Sequence, residues 1–391
     1  MSANQILITN ASVVTEEEVI SDGEVLIEGD KIVWVGSRGS RPELTESFSG
    51  TRVDAKKGWV VPGFIDVHVH GGFGHDFMDA TQECLDGITR FHGQNGTTSM
   101  LATTVTGPHD ALSRVLEAVS SYRSKEMPYA QLIGVHLEGP FISHKWPGAQ
   151  NPEFIVPPQK QWLQDWTQQY PGLIKMLTLA PETEGAYELI EWLKANGIVA
   201  AAGHTDATYE VIEEAVEHGL KHAVHTFNAM TGLHHRKPGT VGAVLTDDRI
   251  SAEIIADGFH VHPGAIRLLT RAKQSHNLML ITDAMSAAGL GNGQYSLGGL
   301  AVTVKDGMAT LTEGNSLAGS TLTMISAFRY MVNTVGISVQ EASVLASGNP
   351  ARMLGMDDKL GSLAVGKQAD ILLLTPDLDI SSIWVKGKQT V

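Results

Sequence analysis

Two kinds of hydrophobic pattern divide this chain into terminal and central parts. Near the N-terminus, runs such as ILITNASVVT and EVLIEGDKIVWVG alternate apolar with polar positions, with Asp-Gly and Gly-Asp pairs between them. The C-terminal stretch LGSLAVGKQADILLLTPDLDISSIWVKGKQTV again consists of short strand-like runs and turns. Such runs predict antiparallel strands. Because an isolated hairpin is barely stable, we expect residues 1–57 and 357–391 to pair in one small, discontinuous β-sandwich domain.

The central part, residues 58–356, alternates strand-like apolar runs with segments of helical spacing such as ALSRVLEAVSSYR and AYELIEWLKANG. This alternation predicts an α/β fold, a (β/α)8 TIM-like barrel. An open doubly wound sheet is the alternative, but no GxGxxG motif follows the first strand. The predicted barrel strands are 60–70, 97–105, 132–138, 174–179, 198–203, 222–227, 250–256 and 278–283.

Composition narrows the possible partners and location. The 391 residues contain 28 Lys+Arg and 43 Asp+Glu, a formal net charge of −15. An acidic surface repels nucleic acid and anionic membranes, so we expect neither as a partner. The chain has one cysteine, and we find neither a signal peptide nor an apolar stretch long enough to span a membrane. We therefore expect a cytoplasmic protein without an intrachain disulfide.

Six side chains of the kinds that bind metals stand at the ends of five strand-like runs. Parallel barrel strands end at one rim, so these side chains should meet there. Within a strand, residues two apart share a face, so we expect all six in the set that faces the barrel interior. The six are His68 and His70 in GFIDVHVHGG, Glu138 in LIGVHLEGP, His204 in IVAAAGHT, His225 in HAVHTFNAM and Asp283 in LMLITDAM.

This mixture of ligands suits hydrolysis assisted by metal ions. Neutral imidazoles leave the charge of the ion intact, and one shared carboxylate, Glu138, can hold two ions close together. The pKa of a bound water can then fall to about 7, which makes hydroxide available at neutral pH. A further carboxylate, Asp283, can accept the proton of that water and pass it on.

At these residues a resemblance to a known family becomes clear. The motifs PGFIDVHVHGGFG, HLEGPF, AAGHT, HTFNAM, IADGFHV, ITDAM and SLAGSTLTM resemble those of the amidohydrolase superfamily and, within it, the N-acetylglucosamine-6-phosphate deacetylases. The resemblance implies hydrolysis of the acetamide of N-acetyl-D-glucosamine 6-phosphate, a step of amino-sugar metabolism. It also implies a homodimer and, because both His68 and His70 are present, two divalent ions per subunit, zinc or iron.

The same resemblance assigns roles to residues around the predicted metal site. Asp283 matches the residue that acts as general base and general acid when metal-bound hydroxide attacks. His260 matches a residue that polarises the acetamide carbonyl. Gln150 stands where some members have histidine. Arg236 matches a phosphate contact, which a neighbouring subunit could supply through residues 234–237. The substrate-binding positions implied are Ala149, Gln150, Asn228, Ala229, Arg236, His260, Leu317, Ala318, Gly319 and Ser320.

The remaining histidines and the nearby Asp66 need no catalytic role. We expect His136 and Asp66 to support the ligands from behind, with His136 orienting Glu138. We place the others, including His92 and His222, in loops, helices or solvent-facing turns, where they would be structural.

Three alternative functions stay open. One is another amidohydrolase, such as an N-acetylgalactosamine-6-phosphate deacetylase or an N-acyl-D-amino-acid deacylase. The second is a non-catalytic binding protein on the same barrel, although such proteins usually lose ligands and none is missing here. The third, a nucleic-acid deaminase, is disfavoured by the acidic balance and by the absence of a PCxxC motif.

Overall fold

The centre of the molecule is a barrel of eight parallel strands, each hydrogen-bonded to the next. The computed structural model describes residues 5–40, 50–273, 275–314 and 316–391. The first and last strands are joined at the rim, where the Asp283 amide donates to the His68 carbonyl at 2.9 Å. The predicted barrel is therefore confirmed. Its strands are Phe64–Asp66, Thr97–Thr104, Gln131–Glu138, Ile174–Leu179, Val199–Ala202, His222–Ala223, Ser251–Ile255 and Leu278–Ile281.

Helices cover the outside of the barrel, so its strands are buried on both faces. All eight residues of Thr97–Thr104 are buried, for example, which is typical of strands in a parallel sheet. The α-helices are Gln82–Gln94, His109–Arg123, Lys160–Gln169, Ala186–Ala195, Tyr209–His218, Gly239–Thr246, Pro263–Ala272, Met324–Tyr330, Val339–Ser343 and Asn349–Met353. Short 3₁₀ helices are Phe77–Asp79, Pro152–Phe154 and Ser275–Asn277, and π-helical turns are Met331–Val335 and Val344–Gly348.

These helices form where the sequence spaces apolar residues three and four apart. In His109–Arg123, for example, Leu112, Val115, Leu116 and Val119 are buried along one face. Capping side chains mark the N-termini of several helices. Before Gln82–Gln94, for example, the Thr81 hydroxyl accepts a hydrogen bond from the Cys84 amide at 3.2 Å.

Both ends of the chain contribute strands to a second sheet. Strand Ile371–Leu374 runs antiparallel to Trp59–Pro62, which joins C-terminal strands to N-terminal ones. One apolar cluster, including Ile8, Val25 and Trp384, lies within this small domain. The predicted pairing of the termini is confirmed. The strands are Gln5–Val14, Val19–Glu28, Lys31–Ser37, Thr51–Asp54, Trp59–Pro62, Ile371–Leu374, Ile380–Val385 and Lys388–Gln389.

The predicted first barrel strand, 60–70, is wrong in its extent. The strand is interrupted at Gly63. Trp59–Pro62 belongs to the terminal sheet, and Phe64–Asp66 is the first strand of the barrel. Pro62 has no amide hydrogen to donate, and a Cβ at Gly63 would lie 2.2 Å from Thr98 Oγ1. The domain boundary between residues 57 and 58 stays a prediction.

Two small antiparallel sheets at the rim are absent from the predicted elements. One has three strands, Gly293–Leu297, Leu300–Lys305 and Met308–Leu311, and the other pairs Gly71–Gly72 with His75–Asp76. The three-stranded sheet packs on Val105, Ala149 and Met285. It therefore extends the wall of the barrel mouth. Among the described residues, we find no helix with the length and apolar character needed to cross a membrane.

Candidate metal centre and active site

The six predicted ligands meet at the mouth of the barrel in two groups. The Glu138 group consists of Glu138, His204 and His225, and the His68 group consists of His68, His70 and Asp283. Within each group the possible ligand atoms lie within 4.8 Å of one another, and all six residues are buried.

Glu138 lies between the two groups. Its Oε1 is 3.2 Å from His204 Nε2, 3.1 Å from His225 Nε2 and 3.3 Å from His68 Nε2. Its Oε2 is 3.3 Å from His70 Nε2. The carboxylate therefore has an oxygen available to each group, which is the arrangement needed to bridge two ions.

The backbone aims three of the ligands in a way that strand alternation does not predict. His204, His225 and Asp283 have φ angles of 47°, 31° and 51°, in the left-handed region. They follow strands that end at Ala202, Ala223 and Ile281. The expectation that all six belong to one alternating set is wrong for these three, because each left-handed residue turns its side chain over the rim.

The contacts within the site fit divalent cations. The Nε2 atoms of His204 and His225 are 3.1 Å apart, and the buried Nε2 of His68 has no hydrogen-bond partner among the described residues. Burial opposes the charged form of His70, yet Asp283 and Glu138 outweigh it and raise the pKa of His70 to about 9. The site thus favours positive charge, and nitrogen and carboxylate ligands in this number suit zinc or iron.

The Glu138 group is held by one loop, residues 143–151. Gln150 Nε2 donates to Glu138 Oε2 at 2.5 Å, while its Oε1 accepts from the Thr106 amide at 2.6 Å. The Trp146 carbonyl lies 2.9 Å from His204 Nδ1, so it accepts from that nitrogen and leaves Nε2 free to bind a metal. Gln150, an expected substrate contact, is buried and both ends of its amide are engaged.

The His68 group is held from inside the barrel. Glu253 Oε2 lies 2.9 Å from His68 Nδ1, which leaves Nε2 to face the other ligands. Behind it, Asp66 accepts from Thr282 Oγ1 at 2.5 Å and from the His68 amide at 3.2 Å, so it supports the backbone on both sides of the closure. Burial raises the pKa of Asp66 to about 7.

Asp283 keeps its negative charge although it is buried. Burial pushes the pKa of Asp283 upward, but the positive charge of His68 and the hydrogen bond from His70 outweigh it, and the net pKa lies below its ordinary value. Its backbone is fixed by the Ser320 amide, which donates to the Asp283 carbonyl at 2.7 Å. Gly319 lies against the same carbonyl, where a Cβ would be 3.1 Å away, and its φ is 59°.

His260 is oriented by Asp257, which the sequence reasoning missed. Asp257 Oδ2 lies 2.6 Å from His260 Nδ1, and Asp257 Oδ1 accepts from the amides of Phe259 and His260 at 2.8 and 2.9 Å. Because Nδ1 is engaged with this carboxylate, Nε2 is the ring nitrogen left for a ligand in the cavity.

A cavity of about 450 Å³ lies over the two groups. It is large enough for a phosphorylated sugar. Of the expected substrate-binding residues, its walls include Ala149, Gln150, Asn228, Ala229, His260, Leu317 and Gly319.

Three expected substrate residues do not line this cavity. Arg236 is exposed, and its guanidinium lies 2.7 Å from His235 Nε2. Ala318 and Ser320 are buried beneath the wall. Ser320 donates its hydroxyl to the Thr282 carbonyl at 2.6 Å, so within this chain it supports the segment that carries Asp283.

Two expectations about other histidines are wrong: that His222 lies in a loop, helix or turn, and that His136 orients Glu138. The predicted strand 222–227 does include His222. His222 is fully buried on strand His222–Ala223, and its Nε2 lies 2.9 Å from Glu253 Oε1. His136 does not hold Glu138: its Nε2 pairs with Thr178 Oγ1 at 2.7 Å, and its ring packs edge-on against His68. His92, placed in the helix Gln82–Gln94, is also buried, with Nε2 2.9 Å from the Gly71 carbonyl.

Comparison with known proteins agrees with this geometry. An N-acetylglucosamine-6-phosphate deacetylase of Bacillus subtilis (strain 168) is 42% identical over 331 residues, covering 84% of this chain and 83% of the relative. An N-acetylgalactosamine-6-phosphate deacetylase of Escherichia coli O157:H7 is 40% identical over 327 residues, covering 84% of this chain and 86% of the relative.

A solved structure matches nearly the whole fold. It is an N-acetyl-D-glucosamine-6-phosphate deacetylase of Mycobacterium smegmatis, an aspartate-to-alanine mutant in complex with N-acetyl-D-glucosamine-6-phosphate. The TM-score is 0.92 at 34% identity, covering 99% of this chain and 100% of that one. The sequence profile described as Amidohydrolase family matches residues 59–390. With the barrel, its ligand groups and these matches, the chain belongs to the amidohydrolase family.

Proposed function

We propose that this chain hydrolyses the acetamide of N-acetyl-D-glucosamine 6-phosphate, releasing acetate and D-glucosamine 6-phosphate. The observation that carries the proposal is the convergence of six buried ligands, Asp283 among them, beside a sugar-sized cavity that His260 also lines. Relatives of that name that are similar over most of their length support the choice of substrate.

Two divalent ions, zinc or iron, are part of the proposal. The Glu138 group would hold one and the His68 group the other, with Glu138 between them. When bound, such ions supply Lewis acidity and lower the pKa of water towards about 7.

The chain's own residues position the substrate and move the proton. Asp283 accepts a proton from the attacking water and delivers it to the departing amine nitrogen. Its lowered pKa keeps it ionised and ready for the first of these transfers. His260 donates from Nε2 to the acetamide oxygen, which requires a proton on both ring nitrogens because Nδ1–H is already directed at Asp257.

We propose that the phosphate is bound between two subunits. Among the described residues, Lys145 is the one lysine or arginine in the cavity wall, and its ammonium is paired with Asp206 at 2.6 Å. A phosphate needs a further cation, and Arg236 is exposed outside the wall of this cavity. In a homodimer, Arg236 of the partner subunit would fill this role. The cytoplasmic location expected from the sequence stays a prediction.

A second candidate substrate is N-acetyl-D-galactosamine 6-phosphate, because the relative that is 40% identical carries that name. The two sugars differ in one hydroxyl configuration. A site that hydrogen-bonds a hydroxyl can discriminate strongly between such isomers.

An acetate-release assay on metal-loaded protein tests the proposal. The panel holds N-acetylglucosamine and N-acetylgalactosamine, each with and without the 6-phosphate. We expect the highest kcat/KM for N-acetylglucosamine 6-phosphate and a large loss without the phosphate. A preference for the galactosamine isomer would replace the proposed substrate, and equal rates on unphosphorylated sugars would contradict it.

A further inference from the structure

A buried carboxylate behind the metal centre, Glu253, has no part in the proposed reaction. It lies on strand Ser251–Ile255, is fully buried, and does not line the cavity. A carboxylate buried in a barrel interior away from substrate is unfavourable unless its neighbours compensate, so its contacts indicate its role.

Among the described residues, the Glu253 carboxylate makes three hydrogen-bond contacts, and two of them involve the proposed metal ligands. Its Oε2 lies 2.9 Å from His68 Nδ1 and accepts from the His225 backbone amide at 3.1 Å. Its Oε1 lies 2.9 Å from His222 Nε2, and His222 Nδ1 lies 2.7 Å from Ser251 Oγ. One oxygen therefore joins the ring of a ligand in the His68 group to the main chain of a ligand in the Glu138 group.

The two ligands differ in what Glu253 controls. At His68 it meets the ring itself, so it sets which nitrogen carries hydrogen, fixes the ring plane and adds negative charge behind the metal-binding nitrogen. At His225 it meets only the backbone. The Nδ1 of His225 is buried without a hydrogen-bond partner among the described residues. Loss of the Glu253 charge should therefore weaken binding through His68 more than through His225.

We propose that Glu253 is a positioning residue that makes the His68 group competent to bind the second divalent ion, through the His222–Glu253–His68 chain of contacts. This inference rests on the proposed two-ion centre. It predicts that the two ions respond differently to a change at a residue that touches neither substrate nor metal.

The Glu253→Gln variant separates charge from shape. A glutamine oxygen can accept from His68 Nδ1 and the His225 amide as before, and its NH₂ can donate to His222 Nε2. The matched control is Asp370→Asn. Asp370 is also buried, in the terminal domain, where it accepts from the Lys386 amide at 2.8 Å and from Gln368 Nε2 at 2.7 Å.

The experiment measures metal binding by the full chain. Each protein is stripped with a chelator and titrated with Zn²⁺ or Co²⁺ against a competing chelator, and bound metal is counted by elemental analysis. We expect two ions in the wild-type chain and in Asp370→Asn. In Glu253→Gln, one ion should bind about 10–100-fold more weakly while the other changes less than about threefold. The retained ion should bind as it does to His70→Asn, which has an incomplete His68 group.

The Glu253→Asp variant gives a second test that does not depend on how Glu253→Gln folds. It keeps the charge but shortens the reach by one methylene, so the same selective loss is expected. Two ions bound with wild-type affinities by either variant, or an equal weakening of both ions, would overturn the role of Glu253. One ion in the wild-type chain would instead reject the two-ion centre itself, so the two failures are distinguishable.

Discussion

The two ligand groups are built from the same kinds of side chain but are held by different parts of the molecule. The Glu138 group depends on a surface loop, through Gln150 on Glu138 and the Trp146 carbonyl on His204. The His68 group depends on the barrel interior, through Glu253 on His68. The loop that holds the first group also contributes Ala149 to the cavity wall.

Because their supports differ, the two groups should respond to substitutions in different parts of the molecule. Changes to the loop 143–151 should mainly weaken metal binding at the Glu138 group. Changes inside the barrel should mainly weaken metal binding at the His68 group. The two groups still meet at the rim, because Glu138 faces both of them and the Asp283 backbone is hydrogen-bonded to His68 and to Ser320.

The largest effect should come from removing metal from both groups at once. Chelation should reduce acetate release to background, since five of the six ligands line the cavity and the metal ions are expected to supply the attacking hydroxide. Each ion that binds only the folded chain stabilises it by about 4 kcal/mol at a free concentration a thousandfold above Kd. The Tm measured by calorimetry should therefore fall on chelation and return with added Zn²⁺. An unchanged Tm with full activity would contradict the metal centre.

The next largest effect should come from Asp283→Asn, which changes the proton acceptor while keeping its shape. We expect kcat to fall about 10²–10⁴-fold, because a positioned acid or base contributes that much to a proton transfer. KM should change far less. Steady-state kinetics with metal-loaded protein checks this, and a near-normal kcat would show that another group carries the proton.

A substitution in the loop should invert the pattern expected for Glu253. Gln150→Leu removes the amide that holds Glu138 Oε2 against the Thr106 backbone and so fixes the plane of the carboxylate. Oε1, which faces both His204 and His225, then loses its fixed position, and the ion at the Glu138 group should bind about 10–100-fold more weakly. The ion at the His68 group keeps His68, His70 and Asp283 and should be less affected. Gln161→Leu is the control, since Gln161 is exposed on an outer helix. Equal losses of metal affinity at both groups, measured by titration against a competing chelator, would show that the loop does not act on the Glu138 group selectively.

The smallest effect should come from Arg236→Ala, which leaves both groups intact. A lost hydrogen bond to a charged group costs about 1.5–3 kcal/mol, so KM should rise about tenfold or more with kcat within about twofold. Arg114→Ala, at an exposed pair with Asp110 on an outer helix, should leave KM unchanged. To test sharing between subunits, Arg236→Ala and Asp283→Asn chains are mixed and allowed to exchange. A fraction of sites with the wild-type KM supports sharing, and the raised KM of Arg236→Ala at all active sites argues against it.

The barrel and the convergence of its six candidate ligands could be predicted because each follows from a repeated sequence pattern. Eight strand-like runs alternating with helical segments predict a barrel. Candidate ligands at the ends of five of these runs predict a site at one rim of that barrel. The break at Gly63 could not be predicted in the same way, because WVVPGFID is one apolar run whose two halves are separated by tertiary pairing.

The supporting residues were missed for a different reason. Glu253 stands in ISAEIIADGFH as one charge within an apolar strand, a signal that was present, but its partners His68 and His222 are distant in sequence. The three-stranded sheet at the rim also had signals, the Gly298-Gly299 and Asp306-Gly307 turns between alternating runs. The left-handed turns at His204, His225 and Asp283 had none, because non-glycine residues seldom adopt that conformation.

Anomalous X-ray scattering from crystals of the full chain grown with Zn²⁺ tests the central claim most directly. The account predicts two peaks at the barrel mouth, one within bonding distance of Glu138, His204 and His225, the other of His68, His70 and Asp283. A single peak at full occupancy, or peaks bound by other residues, would contradict it.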